Sequence, residues 1–394
     1  MNRALIITTG IVIVLLVLGL WIYLMLFGTP KEGGEVFTNL GFELGTQNTT
    51  ITPPSNTQPF DTLVNTQSGN TLRQLTTRPV AGFAFVPGTT TQSVRYIEKG
   101  TGHMYEINLE TGQENILSRT TIPQVSTAVF SSSTNTVSLT SFDGYQSNVF
   151  VGTLGDKGNL LGISLQPGAS NIAFSSNSEV LYTITSDTPA QTTGYTHNTE
   201  TLAQSELFSV QYKNFDVTWG GKLDAVYLST KPSKEFEGFV YIVKNNILTP
   251  VTPSEYGLST LISKETVIRT YLENDTYVSD VVKNNTEVKS LPIIALKEKC
   301  TFDAFSDLFI WCASPIQVTS DSFVEDWYKG VVVSDDYLWL INTNDQTAQL
   351  YANPEELTGR SLDMQGMQTD IQGGYLSFTN KKDNTLWLYD LSIN

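Results

Sequence analysis

The amino-acid sequence predicts an all-β fold, a seven-bladed β-propeller, preceded by one N-terminal transmembrane α-helix. From residue 79 onward, short stretches of alternating apolar and polar residues are separated by Gly, Asn, Asp, Ser and Thr, which is typical of strands and turns. Apolar residues that end a strand recur about every 43 to 45 residues, the length of one propeller blade. A long apolar segment without charge precedes this repeat.

The first element is the apolar segment from Ala4 to Phe27. As a helix it is long enough to cross the ~30 Å hydrocarbon core of a bilayer. A cleaved signal peptide would end in small residues, whereas Leu26 and Phe27 close this run. We therefore expect residues 1–27 to be a retained single-pass anchor in the cell membrane. Because Arg3 precedes the segment, the N-terminus is predicted to be cytoplasmic and the rest of the chain extracytoplasmic.

The second element, residues 28–70, is rich in Thr, Asn, Gln, Pro and Gly and poor in apolar residues. Such a composition cannot bury enough surface to fold. We expect it to be a flexible polar linker that separates the following domain from the bilayer.

Six complete blades and one partial blade follow. The repeated apolar residues that mark the first strand of each complete blade are Phe85, Phe130, Phe174, Val217, Ile262 and Phe305. The seventh blade has three predicted strands before the sequence ends. We expect residues 71–76 to supply its fourth strand, because pairing the two ends of the domain removes exposed strand edges. The propeller is therefore predicted over residues 71–394.

Three of these segments carry a family resemblance. The strands Leu338–Asn342 and Leu386–Asp390, and the turn Tyr105–Gly112, resemble the third strand and turn of TolB/WD40-like propeller repeats. The chain is similar to uncharacterised propeller proteins of small-genome bacteria that are anchored at their N-terminus. No blade contains the Gly-His and Trp-Asp pairs of true WD40 repeats. The resemblance implies a propeller that binds other proteins, and it carries no catalytic residue.

The two cysteines, Cys300 and Cys312, flank a predicted hairpin whose turn lies around Ser306. In this arrangement they face each other across the two strands, close enough to be bonded. We expect a disulfide, which suits an extracytoplasmic compartment. The alternative is a pair of reduced, buried cysteines that pack as small apolar side chains.

Blade six carries an insertion, residues 316–335, between its second and third strands. One interpretation is a binding loop, in which aromatic rings supply contact area and carboxylates orient a partner. The other is a cap whose aromatic side chains pack on blade six. The partner-binding candidates are Phe323, Glu325, Asp326, Trp327 and Tyr328.

Composition and charge exclude several classes of function. The 39 acidic against 23 basic residues give a net charge of −16, which opposes nucleic-acid binding through phosphate contacts. Two His and two Cys are too few for a multi-site zinc protein. His103 and His197 fall on different blades, and the sequence has no G-x-S-x-G motif. We therefore predict no catalytic, cofactor-binding or metal-binding residues.

These observations predict a membrane-anchored binding or scaffold module of the cell envelope, whose partner is an envelope protein or polysaccharide. One alternative is a propeller enzyme, a hydrolase or lyase acting on envelope polysaccharide through carboxylates in the central channel. Another is a subunit of a surface appendage. A tight group of acids with Arg or Tyr at the channel mouth would favour the enzyme.

Overall fold

The computed structural model describes Leu18 and residues 71–88, 92–213, 215–219, 225–263, 266–283, 287–306 and 308–393. Apart from Leu18, the predicted anchor and the predicted linker lie outside these residues. Among the described residues, no helix has both the length and the apolar character needed to cross a membrane. The described residues other than Leu18 lie in the compact unit Thr62–Asn394.

The described residues form seven four-stranded antiparallel sheets, so the predicted seven-bladed β-propeller is confirmed. The strands of blades one to four follow one another along the chain. Beside blade four, Glu237–Gly238 pairs with Glu255–Tyr256 in a small separate sheet. These strands are β2 (Val80–Phe85), β3 (Ser93–Glu98), β4 (Met104–Asn108), β5 (Glu114–Ser118), β6 (Val125–Phe130), β7 (Thr136–Phe142), β8 (Ser147–Leu154), β9 (Leu160–Ser164), β10 (Ser170–Phe174), β11 (Glu179–Asp187), β12 (Ala190–Asn198), β13 (Gln204–Val210), β14 (Phe215–Trp219), β15 (Val226–Thr230), β16 (Glu237–Gly238), β17 (Val240–Lys244), β18 (Ile247–Pro250) and β19 (Glu255–Tyr256).

Blades five and six repeat this pattern, and blade seven takes its fourth strand, β1 (Leu72–Gln74), from the other end of the domain. The remaining strands are β1 (Leu72–Gln74), β20 (Ser259–Ser263), β21 (Thr266–Glu273), β22 (Thr276–Lys283), β23 (Glu287–Leu291), β24 (Cys300–Phe302), β25 (Phe309–Pro315), β26 (Asp336–Asn342), β27 (Thr347–Ala352), β28 (Met364–Thr369), β29 (Tyr375–Asn380) and β30 (Leu386–Asp390).

The ring closes where β1 pairs with β30. The pairing is antiparallel and places Leu72 opposite Tyr389. Beyond the strand, Leu386 donates its backbone N–H to the Thr76 hydroxyl at 3.0 Å. Leu72 is 2 % exposed and packs with apolar residues of blades six and seven. The edge of the last sheet is thus covered by the chain's own first strand.

The core lies between neighbouring blades, because both faces of each blade pack against another sheet. In β3, Val94, Tyr96 and Ile97 are fully buried, with side chains on both faces of the strand. Innermost strands also come close together. A Cβ atom at Gly82 in β2 would lie 2.0 Å from the Ala128 carbonyl oxygen in β6, so this approach requires glycine.

The first strand of blade six departs from the sequence prediction. It is Cys300–Phe302, whereas Phe305 lies in the following turn and is 72 % exposed. The strand ends because the Asp303 carboxylate accepts the backbone N–H of Phe305 at 3.0 Å. An aspartate that bonds the backbone two residues ahead favours a turn over a strand.

Two short helices lie outside the sheets. The insertion between β25 and β26 contains α1 (Phe323–Tyr328), and α2 (Pro354–Thr358) lies in the connection from β27 to β28. Single 3₁₀ turns occupy Lys297–Lys299 and Leu391–Ile393.

Candidate functional site

Cys300 and Cys312 form a disulfide, as the sequence predicts. The two residues lie directly opposite each other in β24 and β25, with a sulfur–sulfur distance of 2.02 Å. Both are buried against apolar residues of blades five and six. The bond therefore fixes the innermost hairpin of blade six.

The insertion turns most of its aromatic surface inward. Phe323 and Trp327 are 3 % and 2 % exposed, and they pack with Tyr277 and Leu296 of blade five and its connection. Tyr328 is half-buried. This is the arrangement described by the cap interpretation. Partner binding through the insertion is not tested by this packing and stays a prediction.

The acidic candidates of α1 hold the insertion in place. Glu325 accepts the backbone N–H of Lys234 at 3.0 Å and pairs with the Lys329 ammonium at 2.6 Å. Asp326 accepts the Ser322 hydroxyl at 2.7 Å. Hydrogen bonds from Lys329 and the Lys234 backbone lower the pKa of Glu325. Glu325 therefore remains ionised and joins the insertion to blade four.

Beneath the insertion lies a buried network formed by Lys299, Trp327, Asp336 and Asp363. The Lys299 ammonium lies 2.5 Å from Asp336 and 2.6 Å from Asp363, and these three side chains are 0 % exposed. The Trp327 indole N–H donates to Asp363 at 3.0 Å, and Lys299 stands 4.8 Å from the indole centroid. Burial raises the pKa of Asp336 although Lys299 opposes this shift. The network anchors the insertion to blades six and seven.

Above this network is a second polar cluster, which we call the upper mouth and define by Asp216, Ser259, Lys297, Glu298 and Tyr328. Asp216 and Ser259 lie at the starts of innermost strands β14 and β20, and Lys297 and Glu298 precede innermost strand β24. Lys297 lies 3.1 Å from Asp216 and 3.5 Å from Glu298. Tyr328 donates to Glu298, and its hydroxyl lies 3.1 Å from that of Ser259.

Burial controls the electrostatics of the upper mouth. It raises the pKa of Glu298 despite the nearby Lys297 ammonium. Burial and the Glu298 carboxylate raise the pKa of Tyr328, which keeps the phenol protonated. Burial alone would lower the pKa of Lys297, but Glu298 and Asp216 outweigh it and raise the value. The cluster thus offers one ammonium, one phenol and two carboxyl groups that already contact one another.

The channel wall below the upper mouth is almost uncharged. Among the residues of the seven innermost strands β2, β6, β10, β14, β20, β24 and β28, Asp216 is the only charged one. Lys297 pairs with it at the top of the channel. The wall within these strands therefore does not supply the two facing carboxyl groups that glycoside hydrolysis commonly uses.

Two cavities line the side of the channel formed by blades seven, one and two. The first has a volume of about 450 Å³ and extends from Val80 to Phe130. The second, which we call the lower cavity, has a volume of about 360 Å³ and lies between the turns that follow β2, β6 and β28. Ala84, Phe130 and Gln368 line both, so the cavities adjoin.

Neither histidine belongs to the upper mouth or to the buried network of Lys299. His103 lies 2.9 Å from the Thr121 hydroxyl and 3.6 Å from a Glu98 carboxylate oxygen. His197 lies in β12, the third strand of blade three. In the part of the chain that the structure describes, no three His, Cys, Asp or Glu side chains are grouped to hold a metal ion.

Sequence reasoning missed the residues of the upper mouth and of the buried network. A signal existed, because Lys297, Glu298 and Lys299 are three successive charges in a chain with 16 % charged residues. Their partners Asp216 and Asp363 lie 81 and 64 residues away in the sequence and are brought near by the packing of different blades.

No family model matches the sequence, and no curated protein is similar to it in sequence. Among solved structures, oligogalacturonate lyase from Vibrio parahaemolyticus matches with a TM-score of 0.54 at 11 % identity, over 82 % of this chain and 94 % of the lyase. The β-propeller domain of the Trilobed protease from Pyrococcus furiosus matches with a TM-score of 0.50 at 10 % identity, over 79 % and 96 %.

TolB from Acinetobacter baumannii is a further structural neighbour, with a TM-score of 0.41 at 11 % identity, over 67 % of this chain and 64 % of TolB. At these identities the likeness to the lyase and the protease domain shows the fold alone.

Proposed function

We propose that this chain is a binding or scaffold module of the cell envelope. In this proposal residues 1–27 anchor it in the membrane, and the propeller stands outside the cytoplasm and contacts an envelope protein or polysaccharide. The observation that carries the proposal is the nearly uncharged wall of the channel, where Asp216 is already paired with Lys297. A wall of this kind suits recognition better than acid–base chemistry.

Two further observations support it. The disulfide between Cys300 and Cys312 is the kind of bond that persists in oxidising, extracytoplasmic compartments. The insertion also presents exposed apolar residues after its buried helix, since Val331 and Val333 are 72 % and 53 % exposed. We expect partner contact on this surface.

The contact surface can be tested by photo-crosslinking in cells. A photoreactive residue at Val331 should give a defined crosslinked product with an envelope component. The matched control is Val288 on the outermost strand of blade five, which is 57 % exposed. A product of equal yield from both positions, or from neither, would contradict a binding role for the insertion.

The location can be tested with a cysteine label. Both native cysteines are in the disulfide, so Val331→Cys introduces one reactive thiol. We expect a membrane-impermeant maleimide to label it on intact cells. Labelling that occurs only after lysis would place the propeller in the cytoplasm and overturn the proposed location.

A second candidate function is catalysis at the upper mouth on envelope polysaccharide. Glu298 and Tyr328 favour it, because a group of acids with a tyrosine at the channel mouth is present. The test is release of reducing ends or unsaturated sugars from isolated envelope polysaccharide. Glu298→Gln should abolish this release if the cluster is catalytic, and no release by the unsubstituted protein would remove this candidate.

A further inference from the structure

The buried network beneath the insertion holds an amine and a carboxyl group in position to react with each other. The Lys299 nitrogen lies 2.5 Å from an oxygen of Asp336, and both side chains are 0 % exposed. Among the described residues, Lys299 is the only fully buried lysine. Groups held together inside a protein can react as if their concentration were on the order of 10⁵ M or more. Burial therefore sets this pair apart from the ion pairs at the surface.

The two carboxyl groups beside this amine differ in their hydrogen bonds. Asp363 accepts the indole N–H of Trp327 and the backbone N–H of Ser334, each at 3.0 Å. Asp336 accepts the backbone N–H of Met364 at 2.7 Å through Oδ2, whereas its Oδ1 is buried and has no hydrogen-bond partner among the described residues. Burial also raises the pKa of Asp336, which favours a protonated carboxyl group. An amine attacks a carboxyl group in this form and not a carboxylate.

The surroundings of the pair favour a bond that removes charge. The Trp327 ring centroid lies 4.8 Å from the Lys299 nitrogen, and the Ser334 hydroxyl lies 2.9 Å from the same nitrogen. Keeping charges away from water is costly even when they are paired. An amide carries no net charge, so condensation of the amine with the carboxyl group removes part of this cost. The exclusion of water also protects the amide from hydrolysis.

We propose that Lys299 and Asp336 condense to an intramolecular isopeptide bond, with Asp363 as the base. The Asp363 carboxylate, 2.6 Å from the Lys299 nitrogen, takes one proton from the ammonium group. The resulting amine attacks the carboxyl carbon of protonated Asp336. The backbone N–H of Met364 stabilises the negative charge that develops on Oδ2 of Asp336.

The condensation needs no added reagent. A bond forms between the Lys299 nitrogen and Cγ of Asp336, and the bond from Cγ to Oδ1 breaks. Of the three ammonium protons, one moves to Asp363, one leaves with the hydroxyl group as water, and one remains on the amide. The ion-paired arrangement in the structure is the reactant of this step.

The isopeptide bond joins strands that the disulfide does not. Lys299 directly precedes β24 and Asp336 is the first residue of β26, so the bond ties the innermost strand of blade six to the third strand. The disulfide ties β24 to β25, the strand between them. Reductants open a disulfide but not an amide. Because the bond requires neither a partner nor an oxidising compartment, it is independent of the proposed envelope function.

The test is intact-mass spectrometry of the full chain, purified in detergent, kept folded at pH 7 and then reduced. We expect a mass that is lower than that of the sequence by one water molecule. After tryptic digestion, Lys299 and Asp336 should lie in one branched peptide that is uncleaved at Lys299. Glu325 and Lys329 are the internal control, because they are equally close at 2.6 Å but Lys329 is 58 % exposed. Trypsin should cleave after Lys329, which shows that this pair is not linked.

Three variants test the roles of the individual groups. Lys299→Met lacks the amine and should have the full mass of its own sequence. Asp363→Asn removes the base, so the folded variant should keep Lys299 and Asp336 unlinked. The matched control is Asp345→Asn, which changes an exposed aspartate in the turn after β26. It should lose one water molecule, as the unsubstituted chain does.

An unsubstituted chain with the full mass of its sequence would overturn the isopeptide bond, and this measurement decides even where a variant does not fold. A loss of water that maps to another site, such as a succinimide at an aspartate, or that persists in Lys299→Met would overturn it as well. Linkage in Asp363→Asn at the rate of the Asp345→Asn control would overturn the assignment of Asp363 as the base. None of these outcomes affects the Val331 crosslinking, so the two proposals fail separately.

Discussion

At the scale of single residues, the most consequential side chain is Lys299. It is fully buried between Asp336 and Asp363, at 2.5 and 2.6 Å. Removing water from three charges is costly, and their mutual attraction offsets this only while all partners remain. These three side chains therefore favour the observed packing of blades six and seven and the insertion, because any other arrangement would leave a buried charge without its partner.

We expect Lys299→Met to lower the free energy of unfolding by about 3 to 5 kcal/mol, because it leaves two buried carboxylates without their cation. Urea denaturation of the full chain measures this. Lys157→Met, which changes an exposed side chain in the turn between β8 and β9, is the control and should change stability by less than about 0.5 kcal/mol. Similar losses in both variants would show that the burial of Lys299 is unimportant.

Glu325 gives a prediction about pH. Its pKa lies below the ordinary 4.5 because it accepts hydrogen bonds from Lys329 and the Lys234 backbone. Such a carboxylate stabilises the fold above its ordinary pKa, and this contribution is lost as the pH falls through the folded-state value. We expect Glu325→Gln to cost about 1 kcal/mol at pH 7 and progressively less below pH 4.5. Melting temperatures between pH 7 and 3 measure the difference, with exposed Glu200→Gln as control. A difference that does not vary with pH would contradict the assignment.

Residue pairs were predictable only where the two partners are near in sequence. The disulfide was predictable because the alternation of apolar and polar residues indicates a single hairpin. Cys300 and Cys312 are only 12 residues apart and face each other across it. Lys299 and Asp363 are 64 residues apart, and nothing in the local pattern of either indicates the other.

At the scale of elements, β24 is a short innermost strand. It pairs with β25 over three residues, one of which is the disulfide-bonded Cys300. Hydrogen bonds over so short a strand give little stability. The disulfide supplements them by restricting the unfolded chain.

We expect reduction of the disulfide to lower the free energy of unfolding by about 3 kcal/mol, the loop-closure value for a bridge of this span. Urea denaturation with and without dithiothreitol measures the loss. The Cys300→Ala/Cys312→Ala variant should be insensitive to dithiothreitol. Equal stability of the oxidised and reduced protein would show that β24 is held by packing alone.

Strand existence was easier to predict than strand limits. Alternation of apolar and polar residues and the turn residues between strands indicated each blade, because the inner strands of a blade pack between two neighbouring blades and their composition reflects this. The first strand of blade six was misplaced because FDAFS continues the apolar pattern while Asp303 bends the backbone. The lower cavity needed turns from three blades, so no single element predicted it.

At the scale of the whole molecule, the period of the repeat was sufficient to predict seven blades, and the structure has seven.

The membrane anchor is a second prediction at this scale, and it depends on the apolar residues 4–27. We expect the full chain to stay in the membrane pellet after alkaline carbonate extraction, because a helix of this length can cross the bilayer. Deletion of residues 1–27 should move the chain to the supernatant, whereas deletion of residues 45–65 should not. A pelleted chain lacking residues 1–27 would contradict the anchor.

The pairing of β1 with β30 also sets the order of events during synthesis. Thr76 and its partner Leu386 are 310 residues apart, so the first part of the domain to leave the ribosome is the last to find its place. At roughly 5 to 20 residues per second, this wait is on the order of 15 to 60 s. During that interval the strand edges at the open ends of the nascent ring are unpaired and can pair with another chain. We expect a chaperone that covers unpaired strand edges to act in this interval and to be no longer needed once the C-terminal strand has emerged.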